Sequence, residues 1–322
     1  MRDFRHSYLP SANLGLFVPV ALERLPYTRA MKRTMKRTVK IIISLAIAGT
    51  LGLAACNPVS TLNALTLTRG LGVDQNVKYG PLERQTLDIY RPEKAAPSAP
   101  LVVFVHGGSW TSSGKEDHKF VGESLAREGI VTLVINYRLF PKVKYPAFTE
   151  DTVLALRWAK DHALELGADP KQIYAMGHSA GAFNVADAIV DRAELKAQGL
   201  TPKDFAGVIG IAGPYDYDYH TSYTKDVFGG LPLEQVMPAR KVTKGLPPFL
   251  LLVGENDTTV EPQNGISMRN KLEQSGDPVK YVTIPRVNHL TILGAVGRRV
   301  TFLGQEVRPE ILNFIKSGGQ VK

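Results

Sequence analysis

The chain has 322 residues, 44% of them hydrophobic and 21% charged, which are ordinary proportions for a globular protein with a large core. Its formal net charge is +9, but nine Lys or Arg and only two acidic residues fall within residues 1–56. The remaining part, residues 57–322, therefore carries only +2. A net charge so close to zero gives no electrostatic reason to expect a nucleic-acid partner.

The N-terminal 55 residues have the order of a secretory signal. The cationic stretch MKRTMKRTVK is followed by the uncharged run Ile41 to Ala55, which is shorter than the 18 or so apolar residues that a standard transmembrane helix needs. The run ends in Leu53-Ala54-Ala55-Cys56, which resembles a bacterial lipoprotein cleavage box. We therefore expect residues 1–55 to be an N-terminal extension and signal peptide, and Cys56 to become a lipid-modified N-terminus. The alternative is an ordinary membrane anchor beside a free thiol.

This interpretation places the protein outside the cytoplasm. We expect an exported lipoprotein, anchored by Cys56 to a membrane of the bacterial cell envelope and facing the periplasm. Asn57 is not the aspartate associated with inner-membrane retention in the enteric lipoproteins that the box resembles, so the outer membrane is favoured. Cys56 is the only cysteine in the sequence, and the body therefore contains no disulfide.

The rest of the chain predicts a tether followed by an α/β domain. Residues 56–75 are polar and small, as in a tether, and residues 76–322 form the predicted domain. Short β-rich apolar runs occur at LVVFVHGG, IVTLVINY, IYAMGHS, FAGVIGIAG and FLLLVGEND, with helical patterns between them. Strands that alternate with helices predict a mostly parallel central sheet, flanked by helices on both faces. Before these runs, VKYGPLERQTLDIYRP predicts a pair of antiparallel edge strands.

Two segments of this domain carry more detailed predictions. The stretch FTEDTVLALRWAKDHALELG predicts a helix with Thr149 as its N-cap and Gly167 after its end. Residues 214–248 are aromatic and polar without a strong strand pattern, and they follow one predicted strand and precede the next. An insertion there would lie at the carboxyl edge of the sheet, where ligands bind in open α/β sheets. It is a candidate cap or substrate wall, and a purely structural connection is the alternative.

The stretch YAMGHSAGAF contains a Gly-x-Ser-x-Gly pattern around Ser179. The residues before Gly177 predict a strand and those after Ser179 predict a helix, so the serine falls on the tight turn that a nucleophile of this kind requires. Glycine suits positions 177 and 181 because side chains there would collide with neighbouring backbone. An ordinary serine between two glycines is the alternative.

A serine hydroxyl needs a base, and the base needs a carboxylate. His289 follows the last strand-like run, whereas His220, the other histidine after Gly181, lies in the candidate cap. Asp257 ends a predicted buried strand, and the order Ser179, Asp257, His289 is that of an α/β-hydrolase triad. Glu255 remains an alternative acid, and Asp216 and Asp218 follow an earlier strand.

The stretch VFVHGGSW predicts a strand that ends in a glycine turn. The small residues Gly107 and Gly108 allow backbone N–H groups to approach a ligand, and a tetrahedral intermediate needs such donors in place. We expect one donor from Gly107 or Gly108 and another from the N–H of Ala180. The alternative is a simple turn.

Together these motifs resemble the α/β-hydrolase superfamily. Within it they are similar to the carboxylesterase branch related to hormone-sensitive lipase and to the bacterial feruloyl and acetyl esterases, over residues 77–315. The resemblance implies an oxyanion hole at Gly107, Gly108 and Ala180, and mainly structural roles for the residues Tyr137, Arg138 and Asp151. Many lipase-related members have a third glycine where this chain has Ser109, followed here by Trp110. Kynurenine formamidases and isoprenylcysteine methylesterases tend to have Trp at that place too.

The sequence therefore predicts a serine carboxylesterase that hydrolyses short to moderately bulky acyl esters through an acyl-enzyme intermediate. Ser179 is the predicted nucleophile, His289 the base and Asp257 the acid. No metal or other cofactor is expected, because no His/Cys ligand cluster occurs in the sequence. The alternatives are an arylformamidase or amidase with the same residues, and a non-catalytic envelope binding lipoprotein.

Overall fold

A computed structural model of the chain describes residues 58–93 and 98–321. The predicted signal, residues 1–55, and the predicted lipidation site, Cys56, lie outside these ranges. Within them, no helix combines the length and the apolar character needed to cross a membrane.

A single sheet runs through the described residues. Its strands are β1 (Leu71–Lys78), β2 (Thr86–Pro92), β3 (Ala99–Val105), β4 (Val131–Ile135), β5 (Ala168–His178), β6 (Gly207–Ile211), β7 (Phe249–Gly254) and β8 (Val279–Ile284). Their order is β1-β2-β4-β3-β5-β6-β7-β8. β2 pairs antiparallel with both β1 and β4, and the strands from β4 to β8 pair in parallel. The predicted antiparallel pair of β1 and β2 is present, although of these two strands only β1 lies at an edge of the sheet.

Helices cover both faces of this sheet. They are α1 (Pro58–Ala64), α2 (Lys119–Ala126), α3 (Ala147–His162), α4 (Ala180–Val190), α5 (Arg192–Ala197), α6 (Lys225–Phe228), α7 (Leu233–Val236), α8 (Gln263–Ser275), α9 (His289–Gly294) and α10 (Val307–Lys316). Alternate side chains of β3 enter two cores: Val103 packs in the core that contains Phe183 of α4, and Phe104 in the core that contains Phe120 of α2. A parallel sheet buried on both faces confirms the predicted fold class.

The structure differs from the predicted tether over residues 58–75. Residues 58–64 form α1, and β1 begins at Leu71, before the predicted start of the domain. Leu62 is only 6% exposed and packs in the core beside α2 and α9. The Nδ2 of Asn63 donates to the carbonyl of Glu116 at 2.6 Å. The buried leucine and the side-chain amide therefore help to hold this short segment on the body.

The start of α3 also differs from the prediction. The helix begins at Ala147, with Pro146 as its N-cap, so the prediction of Thr149 as the N-cap is wrong. The carbonyl of Pro146 accepts the N–H groups of Thr149 at 2.8 Å and of Glu150 at 3.0 Å. The hydroxyl of Thr149 is buried and donates to Asp187 of α4 at 2.9 Å. It ties two helices together instead of starting one.

Residues 214–248 form a small insert that contains α6 and α7. The insert is fastened to the body by Lys241, whose Nζ lies 2.5 Å from Oδ1 of the buried Asp187 and 3.0 Å from Oδ2 of Asp191. Burial would lower the pKa of Lys241, but the attraction of Asp187 and Tyr145 outweighs it and raises the pKa above its ordinary value. Lys241 therefore stays charged and holds the insert against α4.

Candidate active site

Ser179 lies on a tight turn between β5 and α4. Its backbone angles are φ 54° and ψ −125°, a strained conformation for a residue with a side chain. A Cβ atom added to Gly177 would overlap the backbone of Gly181, and one added to Gly181 would overlap the carbonyl of Val105. The turn can close in this way only with glycine at both positions. It places the hydroxyl of Ser179 at the carboxyl edge of the sheet.

A chain of hydrogen bonds starts at this hydroxyl. The Oγ of Ser179 lies 2.8 Å from Nε2 of His289, and Nδ1 of His289 lies 2.8 Å from Oδ2 of Asp257. The exposed fractions are 8% for Ser179, 8% for His289 and 3% for Asp257. Because a carboxylate accepts hydrogen bonds, Nδ1 carries the ring proton and Nε2 accepts from the hydroxyl. The structure therefore brings the three predicted residues together.

Asp257 is held in place by backbone groups. Its Oδ1 accepts the N–H groups of Thr259 and Val260, both at 2.9 Å, which leaves Oδ2 to face His289. The alternative acid, Glu255, is exposed, and its Oε2 accepts the N–H of Arg286 at 3.0 Å. The structure therefore places Asp257, and not Glu255, against the histidine.

The other candidate residues, Asp216, Asp218 and His220, contact other partners. Asp216 pairs with Arg240, where the carboxylate and guanidinium atoms are 2.8 Å apart. Asp218 and His220 contact each other at 2.9 Å on an exposed part of the insert. Neither aspartate contacts His289, and His220 does not contact Ser179.

The glycine turn after β3 passes directly beside Ser179. A Cβ atom on Gly107 would come within 2.9 Å of the Cβ of Ser179, and Gly108 adopts φ 112°. Within residues 58–93 and 98–321, no hydrogen-bond acceptor is found for the N–H of Gly107 or Gly108. Ala180 is the first residue of α4, where a helix leaves its N–H groups without intrahelical partners. These groups are available to a developing negative charge beside Ser179.

His106 fixes the orientation of this turn. Burial lowers its pKa to about 3, so the ring is neutral, and its Nδ1 lies 2.6 Å from the carbonyl oxygen of Gly107 and donates to it. The ring also stacks on Tyr137 with 4.4 Å between centroids. Because the peptide bond is trans, a carbonyl of Gly107 that points towards His106 makes the N–H of Gly108 point the opposite way. His106 therefore fixes the direction of the N–H of Gly108, which is a candidate donor to the oxyanion.

Ser109 stands where many lipase-related members have a third glycine, and packing offsets the backbone strain of the turn. Ser109 and Trp110 have φ 51° and 61°, which costs on the order of 1–3 kcal/mol for each residue with a side chain. Trp110 is 2% exposed, its Nε1 donates to Asn184 of α4 at 2.8 Å, and its ring contacts Phe228 of the insert. The tryptophan thus anchors the strained turn to α4.

His178, which sequence reasoning did not single out, supports the position of His289. Its Nε2 donates to the backbone carbonyl of His289 at 3.0 Å, and the two rings are 4.7 Å apart. Burial, together with the nearby His289 ring, holds the pKa of His178 well below its ordinary value. A neutral His178 therefore joins the serine turn to the loop that carries the histidine. We infer that it is a positioning residue.

We expect His178→Leu to lower kcat about 10–100-fold with little change in KM, because a histidine displaced by about an ångström accepts the serine proton poorly. His178→Gln, whose amide nitrogen can still donate to that carbonyl, should recover most of kcat. Steady-state kinetics with thermal melting of both variants checks this. Equal kcat values for the Leu and Gln variants would contradict a role through this hydrogen bond.

Two clefts lie near the glycine turn. The smaller, about 230 Å³, is lined by Ser179, Ala180, Trp110 and hydroxyl-bearing residues of the insert and of the loop after Asp257. The larger, about 460 Å³, is lined by the glycine turn, His178, Leu290 and Leu293 of α9, and Val59 of α1. Residues of the insert therefore line the smaller cleft, and its assignment as a cap remains a prediction.

No group of three or more His, Cys, Asp or Glu side chains that could hold a metal ion occurs among the residues that the structure describes. The buried histidines His106 and His178 each bond to backbone carbonyls instead. The prediction of a site that works without a metal remains a prediction.

The topology, the serine turn and the order of the three residues define an α/β-hydrolase fold. The crystal structure of esterase B from Lactobacillus rhamnosis superposes with a TM-score of 0.70 at 19% identity, covering 87% of this chain and 96% of that one. This likeness shows the fold.

Sequence comparison defines the family. The BD-FAE family matches residues 87–272, more than half of the chain. A probable isoprenylcysteine alpha-carbonyl methylesterase from Arabidopsis thaliana is 26% identical over 242 residues, covering 67% of this chain and 51% of the relative. Esterase LipC from Mycobacterium tuberculosis is 28% identical over 239 residues, covering 67% of this chain and 59% of the relative. The chain thus spans just over half the length of these relatives. It belongs to the BD-FAE family.

Proposed function

We propose that this protein is a serine carboxylesterase. The observation that carries the proposal is the hydrogen-bonded series from Ser179 through His289 to Asp257, beside N–H groups of Gly107, Gly108 and Ala180. The names of the relatives, esterase and methylesterase, support the same class of reaction.

The proposed reaction has two halves. In the first, the Oγ of Ser179 attacks the ester carbonyl carbon while Nε2 of His289 takes the hydroxyl proton. The carbonyl oxygen becomes an oxyanion, which accepts hydrogen bonds from backbone N–H groups of the glycine turn and Ala180. The C–O bond then breaks, and the alcohol leaves with the proton from His289. In the second half a water gives its proton to His289 and attacks the acyl carbon; the bond from that carbon to Oγ of Ser179 then breaks, Oγ takes the proton back from His289, and the acid is released.

We propose short or moderately bulky acyl groups as substrates. The cleft that contains Ser179 measures only about 230 Å³, and Tyr217, Ser222 and Thr224 give it hydroxyl groups. Long lipid chains would leave most of their apolar surface outside so small and polar a cleft. Faster hydrolysis of long-chain emulsions than of acetate or butyrate esters would overturn this.

The proposal is tested with matched substrates. We expect the purified protein to hydrolyse an aryl acetate at least about 100-fold faster than the corresponding aryl amide, because alkoxides and aryl oxides leave more readily than amide nitrogen. A phosphonate ester should inactivate it with one label per chain, located on Ser179 by mass spectrometry. Faster cleavage of the amide or of an aryl formamide would identify an amidase or arylformamidase. A folded protein that neither hydrolyses nor is labelled would indicate a binding protein.

We also propose that the protein is an exported lipoprotein, anchored at Cys56 on the periplasmic face of the cell envelope, in the outer membrane. The support is the sequence alone: the cationic segment, the apolar run and the box Leu53-Ala54-Ala55-Cys56. Cys56→Ser should abolish incorporation of labelled fatty acid and keep the signal uncleaved. Cleavage at another site without lipid would contradict the assignment.

A further inference from the structure

The larger cleft has no role in the proposed chemistry so far. It measures about 460 Å³ and lies on the side of the glycine turn that faces His178 and α9. Its walls include Gly107 and Gly108 of the glycine turn, where Gly107 also borders Ser179, and Leu290, which directly follows His289. The cleft therefore adjoins the glycine turn and the helix that begins at His289.

We propose that this cleft binds the alcohol half of the ester, and that α1 is the part of its wall that selects the alcohol. The inference rests on the proposed esterase function. In an ester hydrolysis His289 must return its proton to the alcohol oxygen, so the alcohol leaves on the histidine's side. Leu290 and Leu293 belong to α9, the helix that His289 begins. The acyl carbon is bonded to Ser179, which lines the smaller cleft together with Ala180.

The helix α1 is held in place by its buried leucine and by hydrogen bonds to the residues that directly follow it. Arg299 donates to the carbonyl of Leu65 at 3.0 Å, and Arg127 donates at 3.0 Å to the carbonyls of Leu67 and Arg69. The buried Leu62, packed in the core beside α9, adds an apolar anchor. Val59, one turn earlier, lines the cleft from this anchored helix.

The lining defines the class of alcohol. Val59, Leu290 and Leu293 offer apolar surface beside serine and histidine side chains, and Leu290 is 48% exposed at the cleft. Asp117 adds a carboxylate at the same cleft, where its Oδ2 accepts the hydroxyl of Ser113 at 3.1 Å. A negative charge in the wall disfavours anionic alcohols. The cleft therefore fits an uncharged, partly apolar alcohol, such as an aryl alcohol, that is larger than methanol.

The test is a substitution that fills the larger cleft, made in the full-length protein. We expect Val59→Trp to lower kcat/KM for 2-naphthyl acetate about 10-fold or more and to leave methyl acetate within about 2-fold, because the new ring occupies the alcohol's space. Methyl esters of acetic, butyric and hexanoic acid should keep their relative rates. Leu65→Trp is the matched control, since Leu65 is 58% exposed on the same segment.

The outcomes separate this inference from the esterase proposal. A selective loss along the acid series instead of the alcohol series would overturn the assignment of the two halves. An equal loss on every ester, or none on any, would show that α1 does not select the alcohol. In either case a parent whose activity is blocked by phosphonate on Ser179 keeps the esterase proposal intact. A parent that neither hydrolyses esters nor is labelled overturns both.

Discussion

Ser179→Ala is expected to reduce kcat for an aryl acetate by at least about 10⁴-fold, since the acyl-enzyme cannot form without the hydroxyl. The residual rate should come from N–H groups of the glycine turn and Ala180, which still stabilise an oxyanion formed by attack of water. KM should change little, because the lost oxygen contacts the ester mainly when the bond forms. Stopped-flow and steady-state hydrolysis measure both quantities.

The folded state of this variant is not at risk, which makes the result interpretable. Ala180 through Val190 continue as α4, and the glycines at 177 and 181, not the serine side chain, allow the turn to close. Ser317→Ala is the matched control, because the hydroxyl of Ser317 bonds to backbone groups of Phe314 and Gln320 near the end of α10, away from Ser179 in the sequence. Retention of more than about 1% of parental activity, still blocked by phosphonate, would mean that another residue is the nucleophile.

Much of the fold could be predicted from the sequence, because its strands are buried on both faces. Runs such as LVVFV and FLLLVG are apolar at every position, and such runs fit strands of a covered parallel sheet. The start of α3 could not be predicted, since Thr149 is a good N-cap type whose hydroxyl is used by the buried Asp187. That contact joins residues far apart in sequence and outweighs the local preference.

The candidate site was likewise predicted only in part from the sequence. Ser179, Asp257 and His289 each follow an element whose end lies at the carboxyl edge, so chain order and strand ends were enough to find them. His178 was missed, because its hydrogen bond to the carbonyl of His289 spans 111 positions and leaves no local pattern. The proposed role of Val59 was missed for a related reason: α1 is short, and the hydrogen bond that ties its Asn63 to Glu116 spans 53 positions and leaves no local pattern.

Asp257→Asn is expected to lower kcat about 10⁴-fold with the fold retained. The Asn oxygen can still accept the N–H groups of Thr259 and Val260, and this leaves the amide nitrogen to face Nδ1 of His289. An amide donor at that place favours the tautomer with the proton on Nε2, which cannot accept the hydroxyl proton of Ser179. The pH profile of kcat/KM and the kcat value measure the effect.

Glu255→Gln is the matched control for this change, because it makes the same replacement of carboxylate by amide two positions away. Glu255 is exposed and accepts the N–H of Arg286, so we expect kcat to stay within about 2-fold of the parent. The pair of variants therefore decides between the two acids that chain order alone left open. A larger loss in Glu255→Gln than in Asp257→Asn would show that the loop rearranges during turnover and that Glu255 supports His289.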